Sequence, residues 1–126
     1  MAAKKIIKTT SKKRNTIGMT EFIILYSPDG SKSKKIKAKI DTGAQSNSID
    51  KNLALSLDVG PAKRTTVVKS ANGRSLRPVV YLTIEINGKE LRGRFTIADR
   101  QKMNYNVLIG KNILAKSGFI IDPSRE

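Results

Sequence analysis

Residues 35–44 read KIKAKIDTGA, and the rest of the chain is organised around this stretch. Lysine alternates with apolar residues as far as Ile40, a period of two that predicts a strand with one face in a core. Asp41 follows directly, and Thr42 and Gly43 make a tight turn after it. Glycine lets other backbone approach closely, and the Thr hydroxyl can bond to a neighbouring or equivalent turn. The stretch therefore predicts a strand that ends by presenting one carboxylate.

Composition and charge limit the functions open to this chain. Its 126 residues suit a single domain with a core of its own. It contains no Cys and no His, which excludes thiol nucleophiles, Ser–His triads, disulfides and the usual zinc ligands. The net charge of +15 predicts an anionic partner, whether nucleic acid, a membrane surface or an acidic peptide, unless the lysines only solubilise the surface. The lack of Cys and of long apolar runs favours a cytoplasmic protein that does not enter a membrane.

The N-terminal segment differs from the rest of the chain. Residues 1–15 are rich in Lys and offer only Ile6 and Ile7 as apolar anchors, so they lack the material for a core. We predict a flexible basic arm over residues 1–15 and one folded domain over residues 16–126.

The folded part reads as short strands separated by turn signals. Asp29-Gly30 marks one hairpin, and two Asn-Gly dipeptides mark two more, because Asn and Gly tolerate the positive φ of type I′ turns. Asp50 is placed to cap a short helix, and Gly118 to end another. The pattern predicts seven or eight strands and two short helices in an all-β barrel or sandwich. The Asn-Gly hairpins pair 66–70 with 75–77 and 79–86 with 90–97, and the helices span 51–57 and 111–116.

Two features stand at opposite ends of this pattern, the Asp-Thr-Gly turn at 40–44 and the apolar strand 107–110 that leads into a helix. Together they resemble the retropepsin-like aspartic proteases. The resemblance covers residues 16–124 and implies a small closed barrel of the retropepsin (acid protease) type with one or two short helices. It also implies that the hairpin at Asn72-Gly73 is a flap over the substrate. Further matches place the resemblance in a bacterial branch known as ATP-dependent zinc proteases: Thr16-Ile17-Gly18, Arg77-Pro78-Val79-Val80, Asp99-Arg100 with Met103, and Ile121-Asp122-Pro123.

The activity that this resemblance implies is that of an aspartic endopeptidase. Such enzymes use two carboxylates that share one proton, one acting as base toward water and the other as acid toward the carbonyl. The chain holds a single Asp-Thr-Gly, so we predict a homodimer in which Asp41 faces Asp41. Thr42 would bond across the interface, and Gly43 would let the substrate backbone lie close.

The same resemblance implies which residues contact the substrate. We predict substrate contacts at Ala44, Arg74, Arg77, Arg100 and Lys111, with a solvated hairpin tip as the alternative for Arg74 and Arg77. The bacterial branch often occurs beside ATP-grasp ligases that add glutamate to proteins, which implies an acidic, glutamate-rich peptide as substrate. The net charge of +15 fits this substrate, and it also fits nucleic acid bound through the basic arm. Viral members carry an Asp–Arg ion pair at the positions of Gln45 and Lys111, so that pair is absent here.

Neither of the cofactors named in the branch fits the sequence. Zinc would have only carboxylates as ligands, with no plausible spacing, and neither a GxxxxGK[ST] nor a GxGxxG phosphate loop occurs. We therefore predict no metal and no cofactor. We predict structural roles for three other acids: Asp50 as a helix cap, Asp99 as the partner of Arg100, and Asp122 at a strand end.

Two alternatives to an active peptidase remain at this stage. The first is a catalytically inactive module of the same fold that binds nucleic acid or another acidic partner. The sequence gives it little support from aromatic residues, since none cluster as a stacking platform. The second is a dimeric scaffold domain.

Overall fold

The computed structural model describes residues 15–60, 64–70 and 73–126. Most of the predicted basic arm (residues 1–14), Pro61 and Asn72 lie outside these ranges. The described residues form nine strands and two helices, in this order: β1 (Thr16–Ile17), β2 (Thr20–Tyr26), β3 (Ser33–Ile40), β4 (Asn47–Asp50), α1 (Lys51–Ser56), β5 (Arg64–Ser70), β6 (Gly73–Ile86), β7 (Lys89–Ala98), β8 (Val107–Ile109), α2 (Lys111–Ser117) and β9 (Ile120–Ile121).

Six of these strands close into a barrel. They follow one another in the order β2-β3-β8-β4-β7-β6, and β6 pairs back onto β2. The fifth strand, β5, pairs with β6 alone and extends outward from the barrel. The predicted small closed barrel with two short helices is therefore confirmed, and the sandwich alternative is wrong.

The sequence patterns explain why the barrel has this core. Alternation in β3 buries Ala38 and Ile40 and leaves the intervening lysines exposed. The β6–β7 hairpin turns at Asn87 and Gly88, with φ of 51° and 79°, as predicted for a type I′ turn. The core of the barrel is aliphatic apart from one aromatic ring. Its fully buried large side chains are Ile17, Ile23, Leu25, Ile40, Ile49, Leu82, Ile84, Ile86, Phe95, Val107, Ile109 and Ile113.

The predicted flap is a hairpin made of β5 and the first half of the long strand β6. The sequence suggested separate strands at 75–77 and 79–86, but β6 runs unbroken for 14 residues. Its first half pairs with β5 from Ser70↔Gly73 to Arg64↔Val79, and its second half pairs with β7. Pro78 is tolerated within this strand because its flap half has a neighbour on one side only.

Both helices follow the predicted capping. The Asp50 carboxylate accepts a hydrogen bond from the Asn52 amide at the start of α1, and Gly118 ends α2 with a φ of 76°. A feature that the sequence did not predict is the parallel pairing of β1 with β9, which brings the two ends of the described chain together. No helix in the described part of the chain is both long and apolar enough to cross a membrane.

Candidate active site

The barrel topology fixes the position of Asp41. Strand β8 lies between β3 and β4 and runs parallel to β3, with Ile40 opposite Ile109. One residue further on, the Asp41 amide donates to the Ile109 carbonyl at 2.9 Å. Asp41 therefore follows the end of β3, at the level where the adjacent parallel strand β8 also ends.

The turn after β3 leaves part of this carboxylate free. Oδ1 of Asp41 accepts a hydrogen bond from the Gly43 amide at 2.9 Å, and the Ala44 amide donates to the Asp41 carbonyl at 3.3 Å. Oδ2 accepts no hydrogen bond from any residue that the structure describes. Asp41 is half-buried, and Thr42 and Gly43 are exposed. The turn is thus ordered on one side and open on the other.

The first residues of α2 hold this turn in place through backbone hydrogen bonds. The amides of Lys111 and Asn112 donate to the carbonyls of Ala44 and Gln45 at 2.8 and 2.9 Å. These amides belong to a helix start, where no partner exists within the helix itself. At Gly110 a Cβ would lie 2.5 Å from the Ser46 carbonyl oxygen, so no larger residue fits there without displacing the turn.

A buried amide side chain locks the other end of the turn. Oδ1 of Asn47 accepts from the Gly110 amide at 2.8 Å, and its Nδ2 donates to the Arg94 carbonyl at 2.9 Å. Asn112 completes the arrangement, since its Oδ1 accepts from the Arg94 amide at 2.7 Å. The sequence analysis missed both Asn residues. The only hint in the sequence was that Asn47 is a polar residue within a short strand. The structure shows that all four residues of this strand are buried.

A cleft of about 390 Å³ lies beside the turn and beneath the flap hairpin β5–β6. Cations line it, and no carboxylate does. Asp41 is at the edge of the cleft, because Gly43 and Ala44 of the same turn line it. The lining residues are Gly43, Ala44, Gln45, Ser46, Ser48, Thr66, Val67, Val68, Lys69, Arg77, Arg94, Thr96, Arg100 and Leu108.

Arg100 is the most deeply placed of these cations, with 7% of its surface exposed. Its Nε donates to the Tyr105 carbonyl at 2.9 Å, and its amide donates to Oδ1 of Asp50 at 2.8 Å. Burial lowers the pKa of Arg100 below its usual value, and the nearby charge of Arg77 lowers it further, against the opposing effect of Asp50 and Asp41. An anionic group that entered the cleft would stabilise this charge.

Arg94 is a second cleft cation, and the sequence analysis missed it. Its Nη2 donates to the Ser46 hydroxyl at 2.8 Å, which ties it to the Asp-Thr-Gly turn. Its Nε is buried and has no partner among the described residues.

The structure separates the residues predicted to contact substrate. Ala44, Arg77 and Arg100 line the cleft, whereas Arg74 and Lys111 do not. Arg74 and Arg77 are three residues apart on one strand, so their side chains point to opposite faces. Lys111 contributes its backbone amide to the turn while its side chain is exposed.

The three acids given structural roles have well-defined partners. Asp50 uses one carboxylate oxygen as the cap of α1 and the other for the Arg100 amide. The prediction that Asp99 pairs with Arg100 is wrong, because Asp99 lies 3.6 Å from Lys51 and accepts from the Gln101 amide. Asp122 accepts from the amide and hydroxyl of Ser124. Within the described ranges, no three acidic side chains gather as a metal site.

A family profile described as “RimB-like: Retropepsin-like aspartic endopeptidase RimB” matches residues 51–126, which is more than half of the chain. The chain belongs to this family. The matched segment contains the flap strands, Arg100 and the β8–α2 support of the turn. It begins after the Asp-Thr-Gly sequence, so the match does not include Asp41. No curated protein sequence matches the chain.

Two solved structures share the fold of this RimB-like chain. A Legionella pneumophila protein of unknown function, Lpg0085 (DUF785), is 21% identical over 86% of this chain and 93% of its own, with a TM-score of 0.57. The simian foamy virus (mac) protease is 18% identical over 76% of this chain and 91% of its own, with a TM-score of 0.52. At these identities the likeness concerns the fold alone. The predicted resemblance to retropepsin-like aspartic proteases is confirmed, and the family is one of hydrolytic enzymes.

Proposed function

We propose that this RimB-like chain is an aspartic peptidase that acts as a homodimer on acidic peptides. The Asp41 carboxylates of two copies would share one proton, one activating a water and the other protonating the peptide carbonyl. One observation carries the proposal: Asp41 keeps an oxygen free at the edge of a cleft that no carboxylate lines. This supports the proposal that the second carboxylate comes from another copy of the chain.

The surface around the turn supports a two-fold contact between copies. Thr42 is exposed at the tip of the turn, where its hydroxyl would meet the equivalent turn of a partner. Met19 lies beside the start of the turn, because its carbonyl accepts a hydrogen bond from the Ile40 amide. Met19 is 37% exposed. Ile120 on the two-stranded β1–β9 sheet is 67% exposed. Exposed apolar side chains at open strand edges are typical of surfaces that pair.

The charge of the cleft supports an acidic substrate. Arg77, Arg94 and Arg100 all line it, and the charge of Arg77 contributes to lowering the pKa of Arg100, so Arg77 and Arg100 repel each other. A glutamate side chain placed among them would form charge-assisted hydrogen bonds and relieve this repulsion. Glutamate-rich peptides are therefore the substrate class that the cleft favours.

The first test compares two aspartates that occupy similar turns. The D41N variant should lose at least about a thousand-fold in cleavage of a glutamate-rich fluorogenic peptide, because an amide cannot exchange the catalytic proton. The matched D29N variant changes the same group in the β2–β3 turn and should cleave as the wild type does. Cleavage by D41N at the wild-type rate would exclude Asp41 as the catalytic residue.

The second test addresses the two copies. Analytical ultracentrifugation should give the mass of a dimer, and adding inactive D41N chains to wild-type chains should lower activity in proportion to the mixed dimers formed. A monomer that retains full peptidase activity would overturn the two-copy mechanism.

The third test addresses substrate charge. R77Q should raise KM for the glutamate-rich peptide about tenfold through the loss of one charge-assisted contact, with little change in kcat. R74Q alters the opposite face of the same strand and serves as the control. Equal effects of the two variants, or equal cleavage of a glutamine-rich peptide, would exclude charge selection in the cleft.

A further inference from the structure

One face of the β2–β3 hairpin carries a row of cations, none of which lines the cleft. Lys35, Lys37 and Lys39 are exposed on one face of β3, while Ala38 and Ile40 fill the barrel on the other. Alternate residues on a strand are about 7 Å apart, so the lysines form a regular row rather than a cluster. The row begins beside the Asp-Thr-Gly turn and runs along the strand toward the Asp29 turn.

An aromatic ring lies in the middle of this row. Phe22 is the cross-strand partner of Lys37 and is 58% exposed. The Lys35 and Lys37 ammonium groups lie 5.3 and 5.7 Å from its ring centroid. We call Phe22, Lys35 and Lys37 the basic face.

No acid neutralises the basic face within the described residues. The two salt bridges formed there involve Lys32 and Lys51. Glu85 on β6 is opposite Ile24, which in turn is opposite Lys35, so this acid is two strands away from Lys35 and forms no salt bridge with it. The positive charge of this face is therefore available to a ligand.

We propose that the basic face binds a single-stranded polynucleotide. Ammonium groups repeated along an extended strand suit successive phosphates of an extended backbone, and the Phe22 ring offers a base a surface on which to stack. An acidic peptide or a lipid headgroup could use the lysines but would gain nothing from a flat ring held between them. The net charge of +15 adds long-range attraction for any polyanion. This function is separate from peptide hydrolysis and does not depend on it.

The proposal can be tested by fluorescence anisotropy with a labelled single-stranded oligouridylate and the full chain. The K35Q/K37Q variant should bind about tenfold more weakly than wild type, and the slope of log K against log salt should fall by roughly 1.4, as for two lost phosphate contacts. The control K34Q/K102Q removes the same charge from exposed positions outside the basic face. It should bind nearly as well as wild type.

The ring supplies an independent arm of the test. F22A should weaken binding about fivefold or more through the loss of stacking, whereas F22Y should preserve it. Thermal unfolding checks that all variants fold, independently of any peptidase assay. Three results would overturn the proposal: equal losses in the two double-lysine variants, an F22A variant that binds as wild type does, or equal affinity for polyglutamate or anionic vesicles.

Discussion

Asp29 and Asp41 lie at opposite ends of strand β3 and use the same local turn. In each turn, one carboxylate oxygen accepts a hydrogen bond of 2.9 Å from the backbone amide of the residue two positions later, which is Ser31 for Asp29 and Gly43 for Asp41. The surroundings then diverge. The same oxygen of Asp29 also accepts the hydroxyls of Ser27 and Ser31, all from its own hairpin. The Asp41 turn receives its support from α2, which is distant in sequence, and its carboxylate gains no further donor among the described residues.

The comparison teaches how a common turn becomes a site. Local hydroxyls satisfy the Asp29 carboxylate and stabilise its charged form, and the hydrogen bonds with Ser31 and Ser27 lower its pKa to about 2. At Asp41 long-range hydrogen bonds hold the backbone instead and leave the carboxylate available. Availability for chemistry thus depends on the tertiary contacts of the turn rather than on the turn type.

The largest effect is expected from glycine replacements in the two regions. G110A places a Cβ 2.5 Å from the Ser46 carbonyl oxygen and should cost about 3 kcal/mol of unfolding free energy, together with activity. G30A meets open space and should cost about 1–2 kcal/mol, through its φ of 76° alone. Urea unfolding measures both. Equal losses would mean that the Asp41 turn does not depend on close packing against α2.

A smaller effect should follow from removing one polar support of each turn. N47A leaves the buried Gly110 amide and the Arg94 carbonyl without their side-chain partner and should cost about 2 kcal/mol. S31A removes an exposed hydroxyl from Asp29 and should change stability by less than about 0.5 kcal/mol. Chemical denaturation with peptide cleavage in parallel measures both. If S31A lowers the free energy of unfolding as much as N47A does, hydrogen bonds to residues distant in sequence are not what distinguishes the two turns.

The smallest effect concerns pH. Because folding lowers the pKa of Asp29 from 3.8 to about 2, its charged form stabilises the fold above about pH 4, and this contribution disappears as pH falls toward 2. The difference in urea midpoint between wild type and D29N should therefore be constant from pH 7 to 5 and shrink below pH 4. A difference that does not change with pH would show that the carboxylate charge is not what stabilises the hairpin.

The sequence predicted what depends on local chemistry. The alternation in β3, the Asn87-Gly88 turn and the Asp50 cap each follow from a few neighbouring residues, and all three are present. The insertion of β8 between β3 and β4 and the pairing of β1 with β9 are contacts between distant segments, which no local pattern specifies. The strand pattern left a barrel and a sandwich open, and only the resemblance to a known family favoured the closed barrel.

The same division applies within the site. Asp41 was recognisable because Asp-Thr-Gly after an apolar strand is a local signal. Arg94 and Asn47 were not, because their roles come from burial against α2 and the turn. Arg74 and Arg77 were grouped because both lie on the hairpin that was predicted to be the flap. With β6 continuous, their odd spacing would have placed them on opposite faces.

The position of β8 between β3 and β4 also orders the assembly of the protein. A growing chain completes Asp41 long before it reaches Gly110, and the turn cannot take its final form until β8 and the start of α2 have been inserted. Contacts of such long sequence separation form late in folding. A partly synthesised chain would thus carry the Asp-Thr-Gly sequence without an ordered Asp-Thr-Gly turn, so the proposed peptidase activity would arise only in the completed fold.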